Sequence, residues 1–256
     1  PVGTAQAARP VTLGIIGAGN HVRDMLLPPL QNMSNVAIRG ICTASGLTAK
    51  TLATKITAAY CTSDSRSILD DPAINTILIG TRHDSHAALT VQALRAGKHV
   101  FVEKPLCLTE DELQDIRSTY EKQAAEGLHL MVGFNRRFSP HAKEARTFFS
   151  SRSNPLVMLY RINAGRIPAD HWVQDPDVGG GRVIGEVCHF VDYMHALCAS
   201  PPTSVFASRV GRHSSGITED QCSLSLTFGD GSIGTIIYTA EGNSALQKEH
   251  FEAHAD

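Results

Sequence analysis

Two glycines carry the first chemical expectation. In Leu13-Gly14-Ile15-Ile16-Gly17-Ala18-Gly19-Asn20-His21-Val22 an apolar run passes through a Gly-x-Gly turn into an amphipathic stretch. Gly17 permits the tight turn, Gly19 lets the backbone approach a pyrophosphate, and the helix start beyond offers N–H groups and a positive dipole end. That is the phosphate turn of a dinucleotide fold. The third position of the fingerprint is Val22 rather than Gly or Ala, so helix and strand are expected to sit slightly further apart. The acid that commonly holds the ribose hydroxyls about 20 residues on is missing. The sequence there is Gly40-Ile41-Cys42-Thr43-Ala44-Ser45. Thr43 and Ser45 suit either a hydroxyl or a 2′-phosphate, which leaves NAD and NADP both open.

Other spacings invite metal chemistry and do not sustain it. Glu186 and His189 form an ExxH pair on one helical face, but a carboxylate-bridged metal site needs a second such pair and the chain has none. His250 and His254 sit in a polar tail without a third ligand in view, so solvated side chains are expected. No metal site is expected. Trp172, the only tryptophan, lies in a loop rich in Asp, Pro and Gly, as a substrate-facing lid or a packing anchor.

These residues need a scaffold. Apolar runs at Val11–Ile16, Val36–Cys42, Thr76–Ile79, His99–Val102 and His129–Val132 read as strands. Amphipathic stretches at Val22–Leu30, Leu47–Lys55, Ser85–Ala96 and Glu110–Glu126 read as helices. Continuous apolar strands alternating with helices mean a doubly wound α/β domain with a parallel sheet, of the Rossmann type. Gly97 ends one helix, and Thr109 with Glu112 forms a capping box for the next.

The pattern then changes. Phe138–Ser150 and Val183–Ala199 read as helices; Leu156–Ile162, Val205–Val210, Ser223–Phe228 and Ser232–Thr239 read as strands with partial alternation, the last two joined at Gly229-Asp230-Gly231. The expected organisation is a linker at 1–10, a dinucleotide-binding domain at 11–134, and an α+β substrate and oligomerisation domain at 135–256 with a mostly antiparallel sheet. The tail Gly242–Asp256 shows no clear element, so that sheet is expected to be incomplete. The absence of an initiating Met suggests a piece of a longer polypeptide.

Composition excludes several classes. The 256 residues carry 23 basic and 25 acidic side chains, a net charge of −2, which gives no electrostatic footprint for nucleic acid. No apolar stretch approaches the roughly 20 residues that span a bilayer, so no membrane partner is expected. Six cysteines without a CxxC pair fit reduced thiols in a cytoplasmic protein.

Gly97-Lys98-His99-Val100-Phe101-Val102-Glu103-Lys104-Pro105-Leu106 resembles the EKP signature of the Gfo/Idh/MocA oxidoreductases. The likeness runs from Val11 to about Ala240. It includes the GAGN loop Gly17–Asn20, His86 opening a helix, Gly133-Phe134-Asn135-Arg136-Arg137-Phe138, Trp172 ahead of Gly179-Gly180-Gly181, and His189 with Asp192.

The resemblance implies hydride transfer between a nicotinamide and a secondary hydroxyl or ketone of a sugar, nucleotide sugar or cyclitol. It places Lys104 beside the nicotinamide, hydrogen-bonded to the substrate oxygen, and makes His189 the proton carrier. Gly17, Gly19, Asn20, His21, Val22, Thr43, Ser45, Thr81, His86, Glu103 and Lys104 would line the cofactor. Arg136, Arg166, Trp172 and His189 would face the substrate, with Arg137 and Arg161 as further candidates for an anionic group. An Asp commonly stands four residues before the catalytic His, where this chain has Gly185. Glu186 supplies the carboxylate from a shifted position, or the carboxylate is dispensable, or the site is altered. The last case leaves a non-catalytic nicotinamide-binding sensor or scaffold as an alternative. The family also implies a homodimer or homotetramer. The wording Gly185-Glu186-Val187-Cys188-His189 is similar to two-part proteins fusing this family to a second, zinc-type oxidoreductase module.

Overall fold

The structure is a computed structural model that describes residues 10–210 and 220–256. The expected linker therefore lies, apart from Pro10, outside the described residues. Two compact units meet in sequence between Gly133 and Phe134.

The first unit is built on a six-stranded parallel sheet: β1 (Val11–Ile16), β2 (Val36–Cys42), β3 (Tyr60–Thr62), β4 (Thr76–Ile79), β5 (His99–Val102) and β6 (Leu130–Val132), in the order β3-β2-β1-β4-β5-β6. Ile15, Ile77, Ile79 and Val102 are fully buried, as strands covered on both faces require. The order reverses between β1 and β4. That is the switch point outside which open α/β sheets bind ligands. Helices α1 (Leu27–Gln31), α2 (Gly46–Ile56), α3 (Arg66–Leu69), α4 (His86–Arg95) and α5 (Glu110–Ala124) connect the strands. The capping box at Thr109 and Glu112 is present, and Gly97 ends α4 at φ +71°. The sequence reading missed β3 and α3, because three half-polar residues and a single helical turn carry no periodicity. The stretch Val22–Leu30 is not one regular helix. It opens as a wide π turn, Val22–Leu26, before α1.

The second unit packs α6 (Pro140–Phe148) and α7 (Cys188–Cys198) with a five-stranded sheet: β7 (Val157–Asn163), β8 (Pro202–Arg209), β9 (Gln221–Phe228), β10 (Ile233–Thr239) and β11 (Glu249–His254), in the order β11-β7-β10-β9-β8. Phe190, Met194, Ile162, Ile236 and Tyr238 form its core. One expectation is corrected. The tail is not featureless: β11 pairs antiparallel with β7, turning Phe251 towards the core while His250, Glu252 and His254 alternate with it. Its polar half hid the strand. The sheet is mostly antiparallel, as expected: β7 with β10 is its one parallel pair among the described strands. Val183–Ala199 also opens as a π turn, Val183–Val187, before α7.

Among the described residues no helix is long and apolar enough to cross a membrane, and no cluster of three metal-ligating side chains occurs. All six cysteines stand outside disulfides.

Candidate active site

At the switch point, the backbone does most of the shaping. Gly17 has φ +89°, and a Cβ there would lie 2.6 Å from the backbone of Gly80 and Thr81, so only glycine fits. At Gly19 a Cβ would meet nothing within 4 Å. That side is open, and the room suits a pyrophosphate approaching the main chain. Val22 packs against Gly80, the residue after β4. Its Cγ2 occupies the place a Cβ would take there, so the missing side chain of one position receives the bulk of the other. Gly80 was not singled out in the sequence, and only its position after an apolar strand hinted at it.

Thr43 at the end of β2 is buried, and its hydroxyl donates to the Ser45 carbonyl at 2.6 Å. Ser45 is exposed ahead of α2. Asn20 accepts from the Arg23 guanidinium. His21 Nε2 lies 3.3 Å from Glu103 Oε1, and that buried carboxylate packs so closely on Gly133 that a Cβ there would lie 2.9 Å from it. The cofactor candidates of the Gly loop and of the loop after β5 therefore meet through a side-chain pair.

Lys104 is half-buried immediately beyond β5 and joined to Pro105 by a cis peptide bond. His86 is fully buried at the start of α4, with Nδ1 2.7 Å from the Pro105 carbonyl and Nε2 3.3 Å from the Thr81 carbonyl. Thr81 accepts the Ser85 hydroxyl at 2.7 Å. Burial pushes the His86 pKa down, against the pull of the two carbonyls and Glu103, so the ring is neutral near pH 7.

In the second unit His189 is buried on the first turn of α7, with the Phe134 ring edge-on at 5.9 Å. Asp192, one turn on, pairs with Arg137 through Nε at 2.8 Å. Glu186 takes part in a different constellation from the one expected. Its carboxylate accepts from Arg182 at 2.8 Å and from Tyr238 at 2.5 Å, and pairs with Lys248 at 2.9 Å. Burial alone would raise its pKa; these three donors outweigh burial and hold it down at about 2. The π turn that carries Glu186 changes its register relative to α7, which explains its turn towards β10.

Arg136 is likewise engaged. It forms a forked pair with Glu249 of β11, at 2.6 Å through Nη2, lies over the Phe190 ring at 4.8 Å, and shares Glu249 with the Tyr160 hydroxyl at 2.7 Å. Arg161 donates to the Gln247 carbonyl at 3.3 Å. Arg166 is exposed and lines a hollow of about 690 Å³ at the ends of β7 and β10, with Asn163, Ser244 and Lys248. Trp172 starts a short 3₁₀ turn, half-buried, its ring 5.7 Å from His171; Gly179 lets the following loop lie directly on the backbone of Trp172 and Val173. The sequence reading missed Arg182, Tyr160, Tyr238 and Lys248. Only the four-residue spacing of Arg182 and Glu186 signalled any of them.

Residues 11–134 match a family model described as an oxidoreductase family with an NAD-binding Rossmann fold, and residues 155–254 match the C-terminal domain of the same family. The chain belongs to the Gfo/Idh/MocA oxidoreductase family. Its first unit is the NAD-binding Rossmann domain of that family.

Among curated relatives, the uncharacterized oxidoreductase YrbE of Bacillus subtilis is 29% identical over 230 residues, 88% of this chain and 66% of that protein. The scyllo-inositol 2-dehydrogenase (NAD(+)) of the same organism is 33% identical over 145 residues, 56% of this chain and 40% of that protein. The chain thus spans less than two thirds of the length of these Gfo/Idh/MocA relatives. A levoglucosan dehydrogenase solved with NADH and levoglucosan superposes with a TM-score of 0.78 at 23% identity, over 96% of this chain and 71% of that one, a likeness of fold.

Proposed function

We propose that the chain carries an NAD(P)-dependent dehydrogenase activity that oxidises a secondary hydroxyl of a sugar or cyclitol, or reduces the matching ketone. The observation that carries this reading is Lys104, held just beyond β5 at the carboxyl end of the sheet whose switch point is made by Gly17, Gly19 and Gly80. The names of the inositol and levoglucosan dehydrogenases support the substrate class.

The bound nicotinamide supplies the hydride acceptor or donor. Lys104 donates a hydrogen bond to the substrate oxygen and stabilises its developing negative charge. His189 takes the hydroxyl proton during oxidation and returns it during reduction. Glu186, ionised and held by Arg182, Tyr238 and Lys248, acts as an anchor of the second unit rather than as a proton relay. Arg166, exposed beside its hollow, is the arginine candidate for substrate contact; Arg136 and Arg137 are committed to Glu249 and Asp192. The end of β2 presents hydroxyls and no carboxylate at 43–45, so neither cofactor form meets repulsion there.

The test is titration with NADH and, separately, NADPH, read by nicotinamide fluorescence, followed by turnover against a panel of polyols, inositols and anhydrosugars. Micromolar binding with turnover is expected, and Lys104→Met should lower kcat by about a hundredfold or more with binding retained. Folded protein that binds neither form at millimolar concentration sinks the reading. A second reading, nicotinamide binding without turnover, is favoured by Gly185 standing where the family has Asp; it forecasts tight binding and no hydride exchange with any member of the panel.

A further inference from the structure

We propose that His86 is the positioning residue for Lys104: its imidazole clamps the Lys104-Pro105 loop to the loop after β4 and so fixes where the ammonium is presented. The activity arm of this inference rests on the dehydrogenase reading above; its geometric arm does not.

The Lys104 backbone is held from both sides. On its N-terminal side, Glu103 N–H donates to the Ile79 carbonyl at 2.9 Å, which ties the chain to β4. On its C-terminal side stands Pro105, which has no N–H and can be held through the main chain only by its carbonyl. His86 Nδ1 sits 2.7 Å from that carbonyl. The ring's other nitrogen faces the Thr81 carbonyl at 3.3 Å, and the Ser85 hydroxyl grips Thr81 Oγ1 at 2.7 Å. His86 itself opens α4 just after the loop beyond β4, so its ring joins that loop to the loop beyond β5.

A neutral imidazole has one N–H. The shorter contact assigns it to Nδ1, donating to Pro105. A side chain that only filled space at the start of α4 would be an aliphatic one, since burying a polar ring is costly unless its hydrogen bonds are made. Here the ring's one N–H makes its bond to the loop that carries Lys104. An ammonium displaced by about 1 Å from a substrate oxygen forfeits on the order of a hundredfold in rate. The clamp therefore acts on the chemical step through Lys104.

The stereochemistry of three variants separates this role from simple packing. In His86→Asn the amide nitrogen falls near the Nδ1 position and can still donate to Pro105. In His86→Gln the amide reaches towards the Nε2 position, and in His86→Leu no donor remains. The measurements are NADH affinity, kcat and KM with the best polyol of the panel, and the ¹³C-methyl resonance of Lys104 in reductively methylated protein, assigned with Lys104→Arg.

His86→Leu and His86→Gln should lower kcat about a hundredfold, with NADH affinity and KM within about threefold of the parent, and should shift the Lys104 resonance. His86→Asn should recover both. In a Lys104→Met background, His86→Leu should cost nothing further, because the two act as a unit. A parent protein that turns over no polyol overturns the dehydrogenase reading, and the resonance then decides the clamp alone. An unmoved Lys104 resonance in His86→Leu overturns the inference. So does an equal loss of kcat with and without Lys104, or a His86→Asn variant no better than His86→Leu.

Discussion

The two units hold their polar residues by opposite means. In the first, main-chain geometry at the ends of parallel strands does the work: Gly17 at positive φ, an open flank at Gly19, and the Pro105 carbonyl held by the one N–H of a neutral ring. In the second, charged side chains are paired inside the fold, most of them far apart in sequence: Arg136 with Glu249, Arg137 with Asp192, and Lys248 with Glu186, which Arg182 meets from one helical turn away. A site shaped by backbone is broken by adding a methyl group. A site shaped by ion pairs is broken by removing a charge. The second unit is therefore the more exposed to acid, and the first to steric substitution.

Substitutions sharpen that contrast. The largest effect is expected from Glu186→Gln, which leaves the buried Arg182 guanidinium without its counter-charge. Unfolding of the second unit should become easier by about 3 kcal/mol, read through the fluorescence of Trp172, the only tryptophan, while NADH affinity stays put. A comparable loss should come from acid alone. The Glu186 pKa is about 2 when folded against an ordinary 4.5. A depressed carboxylate stabilises the fold fully above its unfolded pKa, so this contribution, on the order of 3 kcal/mol, should disappear as pH falls from about 4.5 to about 2. Fluorescence melts across that window that run parallel in parent and Glu186→Gln would break the comparison.

Gly17→Ala should destabilise the first unit by about 2 kcal/mol, since the new methyl meets both a positive φ and the Gly80–Thr81 backbone. Calorimetry should show the Trp172 transition unchanged. Gly19→Ala is the mildest. Its methyl points into open space, so stability should move by less than about 0.5 kcal/mol while NADH affinity drops roughly tenfold. Loss of stability without loss of affinity at Gly19 would mean that its flank serves packing rather than a ligand.

The same division explains what could be read from the sequence. Gly17, Gly19 and Lys104 announce themselves because each depends on a few neighbours along the chain and on the strand that precedes it. Gly80 could not, because its reason for being glycine is the Val22 methyl group, which arrives from another segment. Glu249 lies 113 residues from Arg136, and nothing local to either marks the pair. The strand β11 was hidden for a related reason: its apolar half is only Phe251 and Ala253, enough to pack against an existing core but too little to stand out among Glu and His. Glu186 shows the limit most plainly. Helical spacing put it beside His189, and the π turn, invisible in the sequence, sent it to β10.

The fit of Val22 against Gly80 has a further consequence, for inheritance rather than for folding. The two positions share one fixed volume, and what one side chain takes the other must leave vacant. Neither can drift alone: Gly80→Ala beside valine overfills the space, and Val22→Gly beside glycine empties it. A library randomised at both positions should return correlated couples, a small residue at 22 admitting alanine at 80, with few survivors that change only one.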